Sequence, residues 1–212
     1  MDITKVTMIR HGETEWNVAM RLQGNQDSKL TQRGIKQIEL VAEVLSKRTF
    51  DVLISSDQGR AVSTAETINK YHNLNILLNE KLRERNFGIM EGLTREEIAE
   101  KFPEVHTSYM KRKSVYQVPD GESLIQLYLR VTEELKNIIK IHKGSKILIV
   151  THGGVLDCTM RMVFSYSLDL QRNFSISNSA INTFSITNGK WKLEEWGNID
   201  HLSSINSLDE IN

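Results

Sequence analysis

KILIVTHGG, residues 146–154, decides how the rest of the chain is read. Ile147 to Val150 form an unbroken apolar run that turns at once into Thr151, His152 and two glycines. An uninterrupted apolar run of strand length points to a strand covered on both faces, as at the centre of a parallel sheet. A helical pattern over 153–166 follows directly. The unit is therefore a strand, a short polar corner and a helix, with a histidine in the corner. MIRHGETEWN, residues 8–17, repeats the arrangement: an apolar run ends at Ile9 and is followed by Arg10, His11, Gly12 and Glu13. Buried strands normally end in turn residues, so a cation and an imidazole at two strand ends call for a chemical reason.

Working outward, β and α signals alternate. Strands are expected at 5–9, 51–55, 76–78 and 146–150. Helices are expected at 31–48, 60–70, 94–101, 122–142 and 153–166. Thr31 is a suitable N-cap, and Thr94 stands three residues before Glu97 in capping-box spacing. Gly144 suits the C-terminal end of the long helix. The segments 180–187 and 191–196 alternate around Asn188-Gly189, a hairpin signal. The order predicts an α/β protein: a three-layer α/β/α sandwich with a mainly parallel sheet. Residues 1–200 read as a single domain and 201–212 as a polar, frayed C-terminal tail.

The bulk numbers narrow the function classes. Lys+Arg and Asp+Glu are both 27, and no basic stripe alternates with aromatics, so nucleic acid is not an expected partner. No apolar run approaches the roughly 20 residues that span a bilayer, and the N-terminus lacks a signal-peptide pattern. The one cysteine, Cys158, suits a reducing compartment, so a cytoplasmic location without membrane partners is expected. It reads as a small buried hydrophobe. A monomer or homodimer is expected, and Trp191 and Trp196 could pack internally or form an interface.

In an open α/β sheet, ligands bind beyond the carboxyl ends of the strands. The first strand delivers Arg10, His11 and Gly12 there; the second delivers Ser55, Ser56 and Asp57, with Arg60 one turn on. The 146–150 strand delivers Thr151, His152, Gly153 and Gly154. Two histidines could ligate a metal, but adjacent arginines repel a cation and suit a phosphate, which they grip bidentately. The glycines let backbone N–H groups approach the same anion, and the helix starting near Gly153 turns its positive end towards it. An imidazole nitrogen placed there can attack phosphorus and divide a transfer into two easier steps. An acid is then needed for the leaving alkoxide; local sequence offers Glu13 and Glu84.

Six segments carry a resemblance: IRHGETEWN (9–17), LQGNQDSKLTQRG (22–34), SSDQGRAVSTAETI (55–68), LRERNFGIMEG (82–92), PDGES (119–123) and VTHGGVLDC (150–158). In this order they resemble the histidine phosphatase superfamily, and its phosphoglycerate-mutase-like branch in particular. The resemblance implies that His11 is the phosphorylated nucleophile and that Arg10 and Arg60 clamp the phosphoryl oxygens. It makes His152 the second histidine and Glu84, rather than Glu13, the proton donor. It implies phosphate- or substrate-binding roles for Asn17, Gln23, Gly24 and Gly153. A helical covering segment, about 86–120, is implied above the site, where Arg95, Lys111 and Arg112 would meet an anionic substrate tail. No metal is implied.

The function expected is a metal-independent phosphomonoesterase, a phosphoric monoester hydrolase acting on a small phosphorylated metabolite through phospho-His11. Relative to the mutases of the family the chain is short, Asn86-Phe87 replaces their histidine-tyrosine pair, and Gly153-Gly154 replaces glycine-asparagine. The alternative is a phosphoglycerate mutase, an isomerase that would need 2,3-bisphosphoglycerate as priming phosphate donor. A further alternative is a non-catalytic phospho-ligand binding protein, against which stands the complete set of His11, His152, Arg10, Arg60 and Glu84.

Overall fold

The computed structural model describes residues 2–205. Its sheet has six strands: β1 (Thr4–Arg10), β2 (Val52–Ser55), β3 (Ile76–Leu78), β4 (Lys146–Thr151), β5 (Ile181–Thr187) and β6 (Lys190–Asn198). Their order is β3-β2-β4-β1-β5-β6. β3, β2, β4 and β1 run parallel, and β5 and β6 close the sheet antiparallel. The 146–154 stretch takes the central position its apolar run demands.

The helices named here are α1 (Glu15–Val18), α2 (Gln32–Leu45), α3 (Gly59–Asn69), α4 (Arg95–Lys101), α5 (Pro103–Met110), α6 (Leu124–Ile141) and α7 (Gly153–Phe164). α2 and α3 cover one face of the sheet; Val41, Leu45, Ala61, Ala65 and Ile68 meet Leu148 and Val150 of β4. α6 and α7 cover the other, where Leu127, Val131, Leu135 and Leu156 meet Ile147 and Ile149. Alternate residues of one strand thus feed two cores, because successive strand side chains point to opposite faces. Each fully buried Leu or Ile contributes about 1.5–3 kcal/mol of transfer free energy. The result is a three-layer α/β/α sandwich. Cys158 is buried in the α7-side core. Trp191 and Trp196 pack edge-on against Phe184 and are half-buried.

Local rules account for most element boundaries. Thr31, Thr94 and Ser123 cap α2, α4 and α6, and the last two complete capping boxes with Glu97 and Gln126. Asn188 and Gly189 both adopt positive φ, as a two-residue hairpin turn requires. α6 starts two residues later than its apolar pattern predicts, because Ser123 caps it and Glu122 turns aside to pair with Arg130. It ends at Ile141, with His142 as its C-cap and Gly144 left-handed just beyond. The expected frayed tail is corrected at its start: Asp200–Leu202 form a 3-10 turn and Leu202 is buried. The remainder of the tail, 206–212, lies outside the described residues.

Residues 86–120 fold into a cover of their own. It contains a 3-10 turn at Gly88–Met90, then α4 and α5, around a small core of Met90, Ile98 and Val118. Leu22, Phe87 and Tyr109 pack against it. α5 is not foreshadowed by periodicity, since it buries none of its residues and is marked only by Pro103 at its first position. Among the described residues, no helix is long and apolar enough to cross a membrane.

Candidate active site

Register brings the polar corners together. β1 pairs with β4 so that Arg10 faces Thr151, and the ladder continues through the His11 N–H donating to the Thr151 carbonyl at 3.0 Å. On the other side of β4, Ser55 faces Val150 and the Ser56 N–H donates to the Val150 carbonyl at 2.9 Å. His11, Ser56 and His152 therefore leave three adjacent strands at one level. The rings of His11 and His152 lie 5.2 Å apart, and both residues are buried.

The hydrogen bonds assign the His11 tautomer. Nδ1 lies 2.8 Å from the Gly12 carbonyl, which can only accept, so Nδ1 carries the proton. Nε2 is left with a lone pair, towards which Arg60 Nε donates at 3.3 Å. Burial is the main cause holding the His11 pKa well below its usual value; the Arg60 and then Arg10 guanidiniums add to it, and the Gly12 bond opposes. His152 is likewise held well below the ordinary value, by burial first and then by Arg60, His11 and Arg10. Its Nε2 bonds Ser56 Oγ at 2.8 Å, while its buried Nδ1 has no partner among the described residues. Two neutral imidazoles beside two guanidiniums form an electropositive pocket floor.

Each arginine is held by groups distant in sequence. Arg10 donates to the Ile176 carbonyl at 2.7 Å. Arg60 donates to Asp27 Oδ1 at 2.5 Å, the Gln26 carbonyl at 2.8 Å and the Gly24 carbonyl at 2.9 Å. Burial lowers its pKa and the Asp27 carboxylate opposes this. Glu84 sits across the pocket, its own N–H donating to Gln58 Oε1 at 3.0 Å. Its carboxylate accepts the Gly154 N–H at 3.1 Å and the Arg85 N–H at 2.8 Å. A Cβ on Gly154 would overlap Glu84 Oε1, so only glycine leaves the carboxylate where it is. At Gly153 a Cβ would stand 3.7 Å from Arg10 Nε and 3.8 Å from Glu84 Oε2. Glu84 and Arg10 thus flank the start of α7. Glu13 is elsewhere, buried and bound to Arg33 and Thr31.

Most of these residues line a cavity of about 310 Å³; His152 and Ser56, fully buried, are not among the groups that line it. Arg10, His11, Arg60, Glu84 and Gly153 line its inner end, and Asn17, Gln23, Arg95 and Arg112 reach its wall. Two expectations need correction. Lys111 does not line the cavity: it is the exposed C-cap residue of α5, and Lys113 takes the place on the wall. Gly24 acts through its carbonyl, which accepts from Arg60 and, at 2.7 Å, from Gln58 Nε2, and not by lining the cavity. Asn17 lines the cavity and also closes the capping box of α1 with Thr14. Sequence reasoning missed Gln58, Asp27 and Asn178. Asn178 Nδ2 donates to the His11 carbonyl at 2.9 Å and braces the corner from the loop before β5. Gln58 and Asp27 at least fall inside the quoted segments; Asn178 has no comparable signal.

Among the described residues, no cluster of three or more His, Cys, Asp or Glu could hold a metal ion. The groups present fit a phosphate dianion.

Comparison with known proteins identifies the family. The sequence profile described as histidine phosphatase superfamily (branch 1) matches residues 6–199. The chain belongs to the histidine phosphatase superfamily. Among its relatives, phosphoglycerate mutase-like protein 4 of Arabidopsis thaliana is 36% identical over 98% of this chain and 91% of its own length. The metal-independent phosphoserine phosphatase of Arabidopsis thaliana is 35% identical over 98% of this chain and 87% of its own. The solved structure of Bacillus stearothermophilus YhfR has 30% identity and a TM-score of 0.88, covering 94% of this chain and 100% of that one. This histidine phosphatase is therefore an enzyme with the family's fold over nearly its whole length.

Proposed function

We propose that the protein is a metal-independent phosphomonoesterase that passes the phosphoryl group of a small metabolite through His11. The observation that carries this is the His11 Nε2 lone pair, set between Arg10, Arg60 and Glu84 at the floor of the cavity. Nε2 forms the N–P bond as the ester P–O bond breaks, and Glu84 gives its proton to the departing alkoxide oxygen. Arg10, Arg60 and the helix start at Gly153 stabilise charge on the transferring oxygens, and His152 adds a ring N–H to the same group. Water then attacks phosphorus, Glu84 takes its proton, the N–P bond breaks and inorganic phosphate leaves. The reaction is placed in the cytosol, where Cys158 stays reduced.

A second reading, a phosphoglycerate mutase, draws on Arg95 and Arg112 at the cavity wall and on the relative named phosphoglycerate mutase-like protein 4. The two differ in the fate of the phosphoryl group. Phosphorus NMR of the protein with chelator, 3-phosphoglycerate, a trace of 2,3-bisphosphoglycerate and O-phosphoserine separates them. Inorganic phosphate is expected to accumulate, and not with the His11→Ala variant. Production of 2-phosphoglycerate without inorganic phosphate would make the enzyme a mutase.

A further inference from the structure

The proton donor is held differently from the histidines. His11 and His152 follow directly on paired strands, whereas Glu84 lies in irregular backbone between 3-10 turns at Glu80–Leu82 and Gly88–Met90. Backbone that has no ladder takes its hydrogen-bond partners from side chains or water. Here the Glu84 carbonyl accepts from Arg130 Nη2 at 3.3 Å, and the Glu84 N–H donates to Gln58 Oε1 at 3.0 Å. That N–H has no second partner among the described residues. The main chain that carries the acid is therefore anchored by two side chains from other elements.

Gln58 is an unusual residue for its place in the chain. It is the N-cap of α3, a position that favours Ser, Thr, Asp or Asn, yet its side chain makes no capping bond. Asp27 caps the helix from another segment, accepting the Gly59 N–H at 2.7 Å. The Gln58 side chain turns inward instead, and the residue is only 5% exposed. Its Nε2 donates to the Gly24 carbonyl at 2.7 Å, and its Oε1 accepts from Arg60 Nη2 at 3.2 Å as well as from the Glu84 N–H. A carbonyl oxygen has two lone pairs, and both are filled. Turning the amide over would set its N–H groups against two other donors, so a single orientation satisfies these partners. Arg60 is also held by Asp27 and by the carbonyls of Gly24 and Gln26, so loss of the Gln58 amide falls mainly on Glu84. Gln58 does not line the cavity, so whatever it does for the reaction passes through its neighbours.

We propose that Gln58 is a positioning residue for the acid, and that its amide sets where the Glu84 carboxyl group meets the leaving oxygen. This rests on the phosphatase reading and adds to it a residue that touches no substrate. The test compares kcat on p-nitrophenyl phosphate with kcat on an alkyl ester, the fastest of glycerol 3-phosphate, O-phosphoserine and 3-phosphoglycerate. Gln58→Asn keeps the amide but is one methylene too short to reach Glu84, and asparagine is a favoured N-cap, so the fold is kept. Its kcat on the alkyl ester should fall by about 10–100-fold, the scale of a misplaced catalytic group. On p-nitrophenyl phosphate, whose leaving group needs little protonation, the loss should stay within about threefold. Gln58→Glu retains an oxygen for the Glu84 N–H and should recover most of the alkyl-ester rate. Added to Glu84→Gln, Gln58→Asn should slow the alkyl ester by less than about a further threefold, because a residue acting through the acid then has nothing to act on. Equal losses on the two esters in Gln58→Asn, or losses that multiply in the double variant, would overturn the positioning role. Absence of phosphate release from every ester by the unaltered protein would instead overturn the phosphatase reading, and the role of Gln58 with it.

Discussion

The inner and outer ends of the cavity are built on different principles. Arg10, His11, Ser56 and His152 stand at the ends of neighbouring parallel strands, buried, with backbone ladders running into them. The outer wall comes from short elements: the turn after α1, the cover helices α4 and α5, and the loop after α7. It has only a three-residue core of buried side chains at Met90, Ile98 and Val118, and left-handed backbone at Met20 and Arg112. The contrast teaches where each kind of precision is stored. Groups that meet the reacting phosphorus need fixed geometry, which the sheet supplies; groups that meet the variable part of a substrate can sit on a thinner, more adaptable frame.

That division can be broken from the inside outward. After the loss of turnover expected of His11→Ala, the largest effect should come from Glu84→Gln. Without an acid, hydrolysis of alkyl monoesters should slow by about 10²–10⁴-fold, whereas p-nitrophenyl phosphate, whose leaving group needs little protonation, should lose far less. Equal losses on both esters would remove Glu84 from the acid role. Gly154→Ala comes next. Its methyl group would displace the Glu84 carboxylate while the strand ends stay put, so kcat on alkyl esters should fall by about 10²-fold. Tm should change little, since the clash is with the far end of a side chain that can swing away. A large fall in Tm with unchanged kcat would show that the residue serves packing alone.

The smallest effect sharpens the comparison through pH. His11 and His152 have folded-state pKa values well below 6.5, mainly because of burial. Below about pH 6.5 the unfolded chain binds protons that the folded site refuses, so acid favours unfolding. Each histidine should therefore cost up to about 1.4 kcal/mol of stability per pH unit as the pH falls from 6.5 towards the folded value, and nothing above neutrality. Urea midpoints at pH 7.5 and 5.5 measure this. The fall should be shallower in His11→Ala, and an identical slope in the two proteins would contradict a neutral, buried His11.

What was legible in the sequence follows the same division. The corners at Arg10-His11 and Thr151-His152 announce themselves because an apolar run ends in groups that a simple turn would not use. Gly154 was visible as part of a pair, but its reason, the carboxylate resting on it, appears only in three dimensions. Gln58 and Asp27 brace the site through side-chain contacts with Arg60 and Glu84 from different segments, and Asn178 reaches His11 across most of the chain. No local spacing encodes such contacts. α5 escaped because it buries no residue completely and meets the cover's core only through Val105 and Tyr109, too few to set an apolar period. Lys111 was misplaced because adjacency in a basic triplet says nothing about which member faces inward.

The bond between His11 Nδ1 and the Gly12 carbonyl has one more consequence. An imidazole has two nitrogens, and phosphorylation can in principle give two regioisomers of different chemical lifetime. Here one nitrogen is committed to the chain's own backbone in the residue next door, so the ring presents a single nitrogen to phosphorus. A phosphoryl group carried by His11 would therefore be the Nε2-linked isomer, a choice set by one peptide carbonyl.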